Sequence, residues 1–85
     1  MGKYTPLETY LSAIPTSQRE LTLGFVQIER ILNDKLPPSA HIHQAWWANQ
    51  TKRETHVESQ SWMEAGWRVD TVNFNSKWAR FRRSK

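Results

Sequence analysis

Apolar side chains recur along the chain with a period that changes several times. Leu7, Tyr10, Leu11 and Ile14 follow one another at three- and four-residue steps, the spacing of one helix face. Thr5 is placed to cap that helix, and Pro6 at its first position loses no needed N–H. Pro15 stops it, and Thr16-Ser17-Gln18 reads as a loop. Glu20-Leu21-Thr22-Leu23 alternates, which predicts a short strand. Gly24 stands at the N-cap of a second helix with the stripe Phe25, Ile28, Ile31 and Leu32, and Asn33 suits its left-handed C-cap. Pro37-Pro38 then forbids a continuing helix.

Residues 39–51 carry no clear period; an extended segment and a distorted helix both fit, and Asn49-Gln50-Thr51 reads as a turn. A third helix is expected over 53–65, with Val57, Ser61, Trp62 and Ala65 inward and Gly66 as its left-handed stop. Trp67 to Thr71 alternates as a strand, Asn73 to Ser76 supplies turn residues, and Lys77 to Arg83 alternates again to complete a hairpin. The expected core holds Leu7, Leu11, Leu21, Phe25, Ile28, Leu32, Trp62, Val69 and Phe81. The fold class is α+β. The order helix-strand-helix-helix-strand-strand matches a small winged helix-turn-helix-like domain, with an extra segment around residues 36–51. That segment makes the connection between the second and third helices far longer than the three- or four-residue turn of a tight helix-turn-helix.

Length and charge narrow the function. A chain of 85 residues is read as one domain, 1–85. It has no cysteine, so disulfides and thiolate chemistry are excluded. No apolar run reaches the length of a membrane span, and the N-terminus lacks a signal-like stretch, so a cytoplasmic protein is expected. The net charge is +4. Residues 1–43 balance Lys3, Arg19, Arg30 and Lys35 against Glu8, Glu20, Glu29 and Asp34. The excess lies in the second half, and from Lys77 onward there are five bases and no acid. Such a cluster attracts phosphate backbones, although a solubilising tail would look the same.

Three phrases carry a resemblance. Leu36-Pro37-Pro38-Ser39-Ala40, Trp46-Trp47-Ala48-Asn49 and Trp62-Met63-Glu64-Ala65-Gly66-Trp67-Arg68-Val69 resemble a family of small prokaryotic domains of unknown function with the pattern LPxSA…WWxN…WxxAGWxV. The closing Phe81-Arg82-Arg83 and the upstream Phe25 to Leu32 are similar too. The resemblance spans about Tyr4 to Arg83. It implies a shared, winged-helix-like fold and no catalytic residues. Asn33 departs from it, where the family pattern has glycine.

Alternation along the last strand puts Ala79 and Phe81 on one face and Trp78, Arg80 and Arg82 on the other. With Lys77 and Arg83 they form a candidate nucleic-acid surface, since guanidinium and indole groups together suit phosphates and stacked rings. On the third helix Lys52, Arg53, His56 and Gln60 could meet base edges or phosphates; Glu54, Glu58 and Glu64 oppose that reading. Trp46, Trp47 and Asn49 are read mainly as structural, with base stacking or partner contact as the other role. His41 and His43, two apart, lack the further ligands a metal needs, and no metal or cofactor is expected. No nucleophile elbow or phosphate-cradling glycine loop occurs, so no enzyme is expected. The expectation is a nucleic-acid-binding protein, with duplex DNA favoured over a single strand. The alternative is a protein-interaction or inhibitor module, as in phage or plasmid accessory proteins, using a Trp/Arg patch against an acidic partner. Oligomeric state is not legible.

Overall fold

Residues 2–49 and 57–84 are described by a computed structural model. Helix α1 (Thr5–Ser12) leads to strand β1 (Glu20–Gly24) and helix α2 (Phe25–Leu32). A short helix α3 (Pro38–Ile42) and a 3₁₀ turn (Gln44–Trp47) follow. Helix α4 (Val57–Glu64) then precedes strands β2 (Trp67–Asn73) and β3 (Trp78–Arg83).

The strands form one antiparallel sheet in the order β1-β3-β2. Its inner face carries Leu21 and Leu23 of β1, Ala79 and Phe81 of β3, and Trp67, Val69 and Val72 of β2. These pack with Leu7, Leu11, Phe25, Ile28, Leu32, Trp47 and Trp62 from the helices and the 3₁₀ turn. Every expected core residue belongs to this cluster, with Leu21 only partly buried. The described residues therefore form a two-layer α+β arrangement with their helices on the inner face of the sheet.

Local signals account for most boundaries. Tyr4, not Thr5, is the N-cap of α1; the Thr5 hydroxyl instead accepts from the Gly2 N–H at 3.1 Å. Gly24 caps α2, and its N–H donates to Gln27 Oε1 at 2.7 Å. Asn33 adopts φ 55°, ψ 41°. Its N–H and that of Asp34 return to the carbonyls of Arg30 and Glu29, which closes a Schellman end. Pro37-Pro38 breaks α2 as expected, yet Pro38 also opens α3 at the one helical turn where its missing N–H is no loss. Gly66 ends α4 at φ 89°. The expected turn at 50–51, the start of the third helix at 53–56 and the side chain of Val57 lie outside the described residues.

Candidate nucleic-acid interface on the outer sheet face

The outer face of the sheet is set by β-strand alternation. Along β3 it shows Trp78, Arg80 and Arg82; their register partners are Gly24, Thr22 and Glu20 on β1, and Asn73, Thr71 and Arg68 on β2. Among the described residues no helix covers this face. The register shifts between Val69 and Thr71, so Asp70 is an extra residue in β2. A bulge of this kind turns a side chain to a face it would otherwise miss. Here it stands Asp70 beside Thr71 on the outer face.

That placement sets the electrostatics. Asp70 Oδ2 accepts from Arg80 Nε at 3.3 Å and from Arg82 Nη2 at 3.2 Å. Arg82 also pairs with Glu20 at 3.0 Å, and Arg80 Nη2 donates to Thr71 Oγ1 at 3.2 Å. The hydrogen bond from Arg82, reinforced by its charge and by Thr71 and Arg80, holds the Asp70 carboxyl below its ordinary range. The two arginines on which the sequence reading rested most are thus partly neutralised. Exposed pairs of this kind are weak, typically about 0–1 kcal/mol, so an incoming phosphate can compete for the same donors. Arg68 and Lys77 form no ion pair among the described residues. Lys77 sits at the hairpin tip with φ 58°.

Arg83 is not part of this surface. It follows Arg82, so it projects to the other side of β3. Its guanidinium donates from Nε to the Gln18 carbonyl at 3.0 Å and from Nη2 to the Ile14 and Pro15 carbonyls at 3.0 and 2.9 Å. The group also lies 4.0 Å from the centre of the Trp67 ring. Its Nε and Nη2 donors fasten the loop after α1, away from the face that Arg80 and Arg82 share.

The WWxN segment is likewise structural at two of its three marked positions. Trp47 is 1% exposed, stacks between Phe25 and Trp62, and donates Nε1 to the Ala40 carbonyl at 2.9 Å. It has no face left for a base. Asn49 Oδ1 accepts from Trp62 Nε1 and from Val69 N–H, each at 2.9 Å, and Asn49 Nδ2 donates to the Val69 carbonyl at 3.0 Å. Trp46 is half-buried against Tyr4, Trp47 and Trp62.

Helix α4 offers little of what a groove-reading helix needs. Glu58, Ser59, Ser61 and Trp62 are all buried. Gln60 is half-buried and lines a cleft with Lys3, Tyr4, Thr5 and Glu8. Lys52, Arg53 and His56, which were expected to carry recognition, lie outside the described residues. His41 packs edge-on to Phe25. Among the described residues no three metal-ligating side chains come together.

Arg68 joins the surface without having been singled out in the sequence. No local signal gives its place: plain pairing from Asn73 and Trp78 would set Arg68 opposite Arg83, and only the extra residue at Asp70 brings it opposite Arg82 on the outer face.

A family model covers residues 4–84 of this chain. The chain belongs to the DUF7662 family, a domain of unknown function. No curated protein and no solved structure gives a significant match. The DUF7662 match supports the resemblance to a small uncharacterised domain and carries no activity with it. No helix of the described DUF7662 residues is long and apolar enough to cross a membrane.

Proposed function

We propose that this domain is a non-catalytic nucleic-acid-binding module, and that it binds through the outer face of its sheet. One observation carries the reading: Arg68, Arg80, Arg82 and Trp78 stand on adjacent positions of a sheet face that the described helices leave uncovered. Lys77 adds a cation at the hairpin tip. It holds a left-handed backbone where glycine or asparagine would cost less, and strain of that kind gathers at functional turns. Four cations against Asp70 and Glu20 leave the face net positive.

The fold proposal is a winged-helix variant. Its support is the element order together with the β1-β3-β2 sheet, in which the turn at 74–77 would be the wing tip. Duplex DNA is the ligand that such a fold would imply; the basic hairpin supports binding of a polyanion in general.

A protein-interaction role is the second reading, favoured by the two carboxylates. A face that already pairs Arg80 and Arg82 with Asp70 and Glu20 has the mixed charge of a protein interface as much as of a polyanion site.

Salt dependence separates the two. Four phosphate contacts predict a log–log slope of affinity against salt of about −3 to −4, measured by anisotropy with mixed-sequence nucleic acid. A flat response, or no binding at about 50 mM salt, would exclude the phosphate mechanism.

A further inference from the structure

We infer that the outer sheet face takes a single nucleic-acid strand, with an unpaired base against Trp78 and the backbone phosphates along Arg80, Arg82 and Arg68. This rests on the polyanion reading of that face and narrows its ligand class. The tryptophans supply the first argument. Trp47, Trp62 and Trp67 are buried, and each indole N–H is bonded, to the Ala40 carbonyl, Asn49 Oδ1 and the Leu11 carbonyl. Trp46 is wedged among other rings. Trp78 alone among the tryptophans is neither buried nor packed among other rings of the described residues. Its neighbour across β1 is Gly24, which places no side chain over the indole. A partly exposed indole on a sheet face meets the π-face of a base only if that base is unpaired.

The arginines supply the second. Arg80 is held from two directions, by Asp70 on Nε and by Thr71 on Nη2. Its guanidinium carbon lies 5.8 Å from the centre of the Trp78 ring. A cation and an aromatic surface are thereby set side by side before any ligand arrives. Trp78, Arg80 and Arg82 repeat every second residue, about 6.7 Å along the strand. That step is close to the spacing of successive phosphates in an extended chain.

Shape argues against a duplex. The sheet is three strands wide, roughly 10 Å across its strands. The major groove admits a helix or a two-stranded ribbon. Helix α4 is the element a winged domain would insert, and it buries Glu58, Ser59, Ser61 and Trp62.

The test compares a short labelled single strand with a mixed-sequence duplex of equal length, at about 50 mM salt, on the wild type, Trp78→Ala and Trp78→Phe. The single strand should bind at least about tenfold tighter than the duplex. Trp78→Ala should weaken the single strand by about tenfold or more and leave the weak duplex binding within about twofold. Trp78→Phe should keep most of the affinity, because it keeps a ring. Duplex binding that equals or exceeds single-strand binding would overturn the inference while leaving the polyanion reading standing. Equal weakening of both ligands by Trp78→Ala would overturn it too. Failure of both ligands to bind would overturn inference and reading together. Should Trp78→Ala unfold, the indole N–H resonance of Trp78 in the intact chain decides: it shifts with the single strand, and an unmoved resonance refutes the inference.

Discussion

The carboxamide of Asn49 meets both backbone groups of Val69 and the indole N–H of Trp62. It stands where a neighbouring strand would stand, on the side of β2 away from β3, and so closes that edge. Buried donors left unpaired cost about 1–3 kcal/mol each. Asn49→Ala strands the Trp62 and Val69 donors, so it should destabilise the domain by about 2–4 kcal/mol in urea unfolding. Asn49→Asp should recover part of the loss, since it keeps the acceptor. A change below about 0.5 kcal/mol would remove this role. Residue-scale legibility was uneven. Asn33 was readable as a left-handed cap because one residue type and one position decide it. Asn49 was not, because its partners are 13 and 20 residues away and nothing local points to them. Arg83 looked like its neighbours in sequence; only the carbonyls of the loop at 14–18 distinguish it.

The β2–β3 hairpin is where local pattern and tertiary detail part company. Alternation alone separates Trp78, Arg80 and Arg82 from Ala79 and Phe81, and the structure keeps that separation. The bulge at Asp70 could not be read, since it depends on the register between two strands. It nevertheless decides how much free charge the face presents. Asp70 is charged well below neutrality, so at ordinary pH it holds both arginines; the pairing is present above the usual carboxylate range and is lost only as pH falls through the lowered native value. Asp70→Asn should release the two guanidiniums and tighten polyanion binding about threefold or more at low salt, with the thermal midpoint little changed. Arg80→Ala with Arg82→Ala should act in the opposite sense and leave folding intact. Weaker binding by Asp70→Asn would mean that the carboxylate is part of the recognition surface, as a protein partner would require. Residues 36–49 were the least legible element. Pro38 both breaks one helix and starts another, and the 3₁₀ turn after it is set by burial of Trp47 rather than by any repeat.

At the scale of the whole molecule, the helical layer packs one side of the sheet, and the described residues leave the other side uncovered. Phe25, Trp47, Trp62 and Phe81 run through the core in contact, with ring centres 5.2 to 6.0 Å apart. Large rings fill a small core with few residues. That explains why three of the five tryptophans are buried. The α+β class and the core followed from periodicity. The distribution of charge between ligand and internal partners did not, because net charge counts side chains without their neighbours. The central claim is therefore spatial: the binding face is the outer surface of the sheet. A residue-by-residue NMR titration with an unlabelled oligonucleotide tests it most directly. Perturbed signals should cluster at Thr22, Arg68, Thr71, Lys77, Trp78, Arg80 and Arg82, with Arg83, Asn49 and α2 unmoved. Shifts centred instead on exposed Val26 and Ile42, or no shifts at saturating oligonucleotide, would contradict the account.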